Sequence, residues 1–294
     1  VHKEIAEYNL MKSVYYIDNI PKGKFFRRVK TFAKLIFSFF KSPVFVSKAF
    51  YNLIKQSGGF SYLYLYYVLL FIGKKFDVVH CHFGNSGNIG TVLKVSGFRS
   101  RFVATFHGYD VNTLSLEKGR EIYRQLFEQI DVITVNTNFT GQKVESLGCK
   151  KDKIYILPVG LNTDKFPFRA RVPDSEVVKI LTVGRLVEKK GYEYSIRAIA
   201  ELIRKGHDLH YYIIGSGPLE DDLRALVREL SVGKRIHFVG ALPADKVLHY
   251  YDICHLFVLA SVTASNGDME GQGLVIQEAQ ACGLPVVTTR HNGI

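Results

Sequence analysis

Residues 178–191 read VKILTVGRLVEKKG. A short apolar run stops at Gly184, a basic turn follows, and a helix is expected from about residue 191 to 205. A run this short, apolar throughout and closed by glycine, reads as a strand buried on both faces. The unit is therefore strand, turn, helix. It recurs downstream as LHYYIIGSGP (209–218) with a helix over 219–230, RIHFVGAL (235–242) with a helix near 243–251, and ICHLFVLAS (253–261). The helix carrying Glu278 and a last strand, PVVTT (285–289), close the series.

Upstream the same alternation appears in FDVVHCHF (76–83), RFVATFHG (101–108), DVITVNT (131–137) and KIYILPVG (153–160), with helical stretches between the second and third, as EKGREIYRQLFEQI (117–130) shows. Alternating strands and helices imply parallel, doubly wound α/β layers. A polar, proline-marked stretch, DKFPFRARVPDSE (164–176), is the expected linker. The fold class is thus α/β with two Rossmann-like domains, 1–165 and 166–294. Such layers bind ligands at the carboxyl ends of their strands, here in a cleft that the two domains face.

Composition narrows the function. With 294 residues, 47% of them hydrophobic, the chain can bury two cores. Its four cysteines (Cys81, Cys149, Cys254, Cys282) are far apart and form no CxxC pair, which argues against a zinc site or a disulfide framework. The net charge of +12 lies entirely in residues 1–165, since residues 166–294 hold 15 basic and 15 acidic side chains. From Asp18 to Asp77 there are eleven basic residues and no acid between. The apolar run FSYLYLYYVLLFIG (60–73) is shorter than the roughly 20 residues a membrane span needs. No signal peptide is visible. The start at Val1 and the stop after TTRHNGI lead us to expect missing sequence at both ends.

Within the basic region, KFFRRVKTFAKLIFSFFK (24–41) predicts an amphipathic helix. Phe25, Val29, Phe32, Ile36 and Phe40 share one face, and Lys24, Arg27, Lys30, Lys34 and Lys41 the other. Two readings stand open: a core helix with a solvated basic face, or a membrane-surface helix with its apolar face among lipid headgroups.

Three turns sit where a phosphate would bind. Gly184 precedes Arg185 and Lys190; Gly215 and Gly217 open a second helix; and EGQGLVIQE (270–278) runs a glycine loop into a third. There the amides near Gly271, Gly273, Leu274 and Val275 face outward from a helix N-terminus. No G-x-G-x-x-G fingerprint or P-loop occurs, so convergence of the three turns carries the diphosphate reading. Glu270 and Glu278 are eight residues apart, the first in a loop and the second inside a helix. That spacing suits a ribose diol at Glu278 and a sugar beyond the diphosphate at Glu270.

EGQGLVIQE resembles the E-x7-E motif of glycosyltransferase family 4, retaining enzymes of GT-B fold. GRLVEKKG, GSGP, FVLASVTASNGDMEGQGLVIQEAQACGLPVV and FHGYD follow in the family's order. The wording of HCHFG, ATFHGYD and DMEGQGLVIQEAQACGLPVVTTRHNGI is similar to the bacterial colanic acid and exopolysaccharide branch, from about residue 76 onward. The resemblance implies a nucleotide-sugar donor, a UDP-sugar ahead of a GDP-sugar, and no metal or other cofactor. It implies that Arg185 and Lys190 stabilise the leaving diphosphate, Glu278 binds ribose, and Glu270 and His107 reach the donor sugar. Asp110 would serve as a helix cap or an acceptor contact. It also implies a first strand and glycine-rich loop before residue 1, and C-terminal helices beyond residue 294. Gln272 departs from the family, many of whose members carry an apolar residue there.

The expected function is hexosyl transfer to a saccharide, on a polyprenyl-diphosphate carrier at an anionic membrane surface. The enzyme would be cytoplasmic and peripheral on the inner face of the cytoplasmic membrane. No nucleic-acid partner is expected, because the basic residues lack an RNA-binding motif. Two alternatives remain: a GT-B epimerase, which needs a second acid beside Glu270 that the sequence does not reveal, or a catalytically silent sugar- or nucleotide-binding module.

Overall fold

The computed structural model describes residues 7–9, 12, 23–56, 62–170 and 177–294, so part of the expected linker, 171–176, lies outside the described residues. The chain divides into two compact units, Val1–Val79 with Ile89–Phe102, and His80–Asn88 with Val103–Ile294.

Among the described residues, the first unit has the helices α1 (Lys24–Lys41), α2 (Pro43–Gln56) and α3 (Tyr62–Leu70) before its first strand. Helix α1 has the expected bounds, but its faces are reversed relative to a core helix. Phe25, Phe32 and Phe40 are 71%, 61% and 84% exposed, whereas Thr31 and Ser38 are only 1% and 6% exposed. Buried Thr31 satisfies its hydroxyl by donating to the Arg27 carbonyl one turn back (2.7 Å). Two of the basic residues lean on α3, Arg28 over the Tyr62 ring and Lys34 over the Tyr66 ring, while Lys24, Lys30 and Lys41 are exposed. The reading of α1 as a core helix is therefore overturned for its apolar face, which is exposed, while its basic residues are largely solvated as expected. Helix α3 is itself a core helix, burying Leu65, Tyr66, Val68 and Leu69. Among the described residues no helix is long and apolar enough to cross a membrane.

The chain continues through β1 (Val78–His82), α4 (Gly84–Val95) and β2 (Arg101–Phe106), then β3 (Val132–Val135), α5 (Asn138–Ser146) and β4 (Ile154–Ile156). Their sheet has the order β1-β2-β3-β4, with β2, β3 and β4 parallel. The helical stretches expected between β2 and β3 are present as short pieces: a π-turn (Asp110–Leu114), one α-turn (Ser115–Lys118), a 3-10 turn (Arg120–Tyr123) and α6 (Arg124–Gln129). Gly119 sits at φ 89° between them, a conformation that ends a helix.

The second sheet is built from β5 (Val178–Val183), α7 (Tyr192–Arg204), β6 (Leu209–Ile214), α8 (Glu220–Glu229), β7 (Ile236–Gly240), α9 (Ala244–Ile253), β8 (Leu256–Leu259), α10 (Leu274–Ala281) and β9 (Val286–Thr288). All its pairs are parallel, in the order β7-β6-β5-β8-β9. Both faces are covered. Ile180 points into a core with Ile196, Ile199 and Leu223, while Leu181 next to it points into another with Tyr251, Phe257 and Ala279. Burial on both sides is why β5 reads as an unbroken apolar run.

Candidate functional site

In the second sheet β5 pairs with β6 on one side and β8 on the other, so the connections leaving β5 and β8 diverge. That switch point opens a crevice at the strands' carboxyl ends. A cavity of about 590 Å³ lies there, walled by Arg185, Lys189 and Lys190 of the turn after β5 and by Asn266, Asp268 and Glu270 of the loop after β8. Tyr109, just beyond β2, completes one side.

Three consecutive side chains stitch the two segments together. Glu188 accepts hydrogen bonds from the Ser265 amide (2.9 Å) and hydroxyl (2.7 Å), which hold its carboxyl below the usual range. Lys189 pairs with Asp268 (3.0 Å) and Lys190 with Glu270 (2.5 Å). The turn can lie this close to β8 because Gly191 is left-handed (φ 62°); a Cβ there would meet the Ala260 carbonyl oxygen at 1.8 Å. Tyr192 anchors the other end, donating from a buried hydroxyl to the Gly184 carbonyl (2.8 Å). Arg185 differs from the lysines. It is exposed on the cavity wall and, among the described residues, makes no ion pair. It is a cation available to an anionic ligand. Glu270 is not the lone carboxylate here, as the sequence suggested, since Glu188 and Asp268 share the cavity. Each of the three is engaged, which suits anchoring better than proton transfer.

The other expected donor-site residues lie beside this cavity rather than on its wall. Gly215 and Gly217 press against the backbone of Gly184 and Leu186, so the second glycine turn supports the first. Gly273 caps α10, with Leu274 and Val275 in its first turn. Glu278, one turn further, accepts a 2.8 Å hydrogen bond from the Tyr251 hydroxyl of α9. Burial and the nearby carboxylate push the Tyr251 hydroxyl far up, so it acts as a donor. Gly271 lies against the His107 carbonyl.

His107 ends a ladder of imidazoles. His80 and His82, on the same face of β1, stack at 4.5 Å, and His82 stacks on His107 at 5.3 Å. His82 Nδ1 and His107 Nε2 share a hydrogen bond of 3.1 Å, and His80 bonds Thr105 at 2.6 Å. Burial lowers the His107 pKa most, with Asp110 opposing and His82 and His80 adding to the effect. Asp110 is buried and accepts from the amides of Gly84 and His107, both at 3.2 Å, so it serves the turn as a cap. Burial raises its pKa, while these amides oppose the shift. Among the described residues no cluster of three or more ligands could hold a metal.

The sequence matches two families end to end: Glycosyltransferase Family 4 over residues 26–165 and Glycosyl transferases group 1 over residues 164–294. The chain belongs to glycosyltransferase family 4. Among curated relatives of this family-4 chain, the amylovoran biosynthesis glycosyltransferase AmsK of Erwinia amylovora is 33% identical over 220 residues, 74% of this chain and 54% of AmsK. The GDP-mannose-dependent α-(1-6)-phosphatidylinositol monomannoside mannosyltransferase of Mycolicibacterium smegmatis is 31% identical over 70% of this chain and 56% of its own. The chain therefore spans about half the length of the curated relatives it matches. Anabaena HepE, solved with UDP-glucose, superposes with a TM-score of 0.58 at 19% identity, covering 74% of this chain and 60% of HepE. The fold is GT-B. Sequence reasoning missed Glu188, Lys189, Asp268 and Tyr251, because what distinguishes each is a partner far along the chain, and it missed Tyr109, which lines the cavity.

Proposed function

We propose that this family-4 chain forms the donor site and part of the acceptor side of a retaining hexosyltransferase. Such an enzyme moves a sugar from a nucleotide-diphosphate-sugar to a saccharide acceptor in exopolysaccharide synthesis. The observation that carries this reading is the cavity at the β5/β8 switch point, with exposed, unpaired Arg185 and the Lys190–Glu270 pair on one wall. Arg185 and Lys190 offer fixed positive charge where a departing diphosphate gains negative charge. Glu270 and His107 contact the donor sugar. Glu278, with one carboxylate oxygen held by Tyr251, keeps its other oxygen for the ribose diol. Residues 166–294 bind the donor and residues 1–165 face the acceptor. The site needs no metal, because lysine and arginine supply the countercharge.

A UDP-sugar is the favoured donor, supported by the UDP-glucose complex of HepE, with a GDP-sugar second, supported by the mycobacterial relative. The exposed phenylalanine face of α1 and its basic neighbours support a peripheral position on an anionic, cytoplasm-facing membrane and a polyprenyl-diphosphate-linked acceptor. Incubating the full-length protein with a panel of labelled nucleotide-sugars and membrane lipid extract tests the reading. Transfer with release of nucleoside diphosphate is expected. An epimerised donor, or no turnover of any donor, would overturn it.

A further inference from the structure

Gln272 stands inside the E-x7-E stretch but does not line the cavity, and nothing above gives it a role. Its amide spans both backbone groups of a single distant residue. The Val159 N–H donates to Gln272 Oε1 (2.9 Å), and Gln272 Nε2 donates to the Val159 carbonyl (2.8 Å). One side chain thereby imitates the neighbouring strand that Val159, three residues past the end of β4, has lost. An apolar residue at 272 could make neither bond.

The bridge is adjacent to the tightest backbone contact of the loop. A Cβ on Gly271 would lie 2.8 Å from the His107 carbonyl oxygen and 3.1 Å from Asn136 Nδ2. From the other side, a Cβ on Gly293 would lie 1.7 Å from the Gly271 carbonyl oxygen. Residues 270–273 are thus held over the ends of β2, β3 and β4, with Glu270 on one side of the contact and the first turn of α10 on the other. Main-chain contact alone leaves the loop free to slide along these strand ends, and two hydrogen bonds to one residue remove that freedom.

We propose that Gln272 is a positioning residue that pins the donor loop to Val159 and so fixes the placement of Glu270 relative to His107. The inference rests on the reading of Glu270 and His107 as contacts to the donor sugar. Because Glu278 is held by Tyr251 and Arg185 stands on the turn after β5, neither bonded to Gln272, the pin acts on the sugar and not on the nucleotide.

The test uses the full-length protein and its Gln272→Leu and Glu270→Ala variants, with UDP, GDP, UDP-glucose and GDP-mannose as probes in calorimetry. Amide exchange at residues 155–160 is followed in parallel. In Gln272→Leu, the Val159 amide should exchange about fivefold or more faster, as expected for one lost hydrogen bond. The Kd for the nucleoside diphosphate should stay within about twofold. The Kd for its sugar-bearing form should rise about five- to tenfold, and Glu270→Ala should show the same selective loss. Unchanged exchange, unchanged sugar-donor affinity, or a parallel loss of nucleotide and nucleotide-sugar binding in Gln272→Leu overturns the pin. If Glu270→Ala leaves the sugar-donor affinity intact, or wild type binds none of the four probes, the donor-site reading beneath it fails instead.

Discussion

Helices α1 and α7 carry the same kind of amphipathic pattern and use it in opposite ways. Helix α7 buries Tyr192, Ile196, Ile199 and Ala200 against the second sheet and exposes Glu193, Arg197 and Glu201. Helix α1 exposes its phenylalanines, buries Thr31 and Ser38, and stacks Arg28 and Lys34 on tyrosines of α3. A periodic apolar stripe shows that two faces differ in polarity. Which of them meets protein is decided by what the neighbouring element offers. The sheet beneath α7 offers Ile180 and Ile213, which hydrocarbon fills. Helix α3 offers aromatic faces, over which the cations Arg28 and Lys34 sit.

The largest expected effect tests the α7 side of this contrast. Ile196 is fully buried in the core above β5 and β6, so Ile196→Ala should cost about 2–5 kcal/mol of stability by urea unfolding, through lost burial and the cavity left behind. A cost near zero would mean that α7 is no better packed than the outer face of α1. Next comes the turn that α7 follows. Lys190→Ala should lower kcat about 10²-fold or more, as should Arg185→Ala, since each removes charge from the leaving diphosphate. The lysine change also strands the buried Glu270 carboxylate, so it alone should lower the melting temperature measurably. Equal stability of the two variants would mean that the Lys190–Glu270 pair does not form in solution.

These sites also show how far the sequence could be read. The second sheet was legible nearly strand by strand, because strands buried on both faces leave uninterrupted apolar runs ended by glycine. Arg185, Lys190 and Glu270 were legible because a turn and a loop after strands of one sheet converge at its switch point. The sequence leaves the orientation of α1 open between two readings, since nothing within 24–41 states that Tyr62 and Tyr66 will lie beneath it. The pairs Glu188–Ser265 and Lys189–Asp268 were not legible, since they join residues nearly eighty positions apart. The helical stretches around 117–130 were legible, but where they divide was not, since only the fold shows Gly119 held at positive φ. Gln272 read as an anomaly because its partner is a backbone, and a backbone leaves no signature in the sequence.

A smaller effect concerns polar groups that pack by staying uncharged. Burial lowers the pKa of both His80 and His107 from 6.5 in the fold, and neighbouring imidazoles add to it. The unfolded chain then binds more protons than the native state between the depressed values and 6.5. Stability therefore rises with pH across that window and is lost as pH falls below 6.5. Thermal unfolding of wild type and of His80→Asn/His107→Asn between pH 7.5 and 5 should show a shallower acid loss in the variant. Parallel curves would mean that the rings protonate as freely in the fold as in the unfolded chain.

The smallest expected effect on stability is also the sharpest test of the contrast. Phe25, Phe32 and Phe40 lie on the outer face of α1 and contribute little buried area, so changing all three to serine should alter unfolding stability by only about 0.5 kcal/mol per site. If the face lies among lipid headgroups, the same change should abolish flotation of the full-length protein with anionic vesicles at moderate salt. The charge contribution behaves differently. Arg27→Glu/Arg28→Glu/Lys30→Glu/Lys34→Glu should weaken flotation most at low salt, because electrostatic attraction is screened within about 10 Å at 0.1 M ionic strength while apolar insertion is not. Arg28 and Lys34 also stack on Tyr62 and Tyr66, so this variant should lose some stability where the serine variant does not. A serine variant that floats like wild type, or that unfolds like Ile196→Ala, would place protein rather than lipid against this face. The two helices would then differ only in which part of the protein covers them.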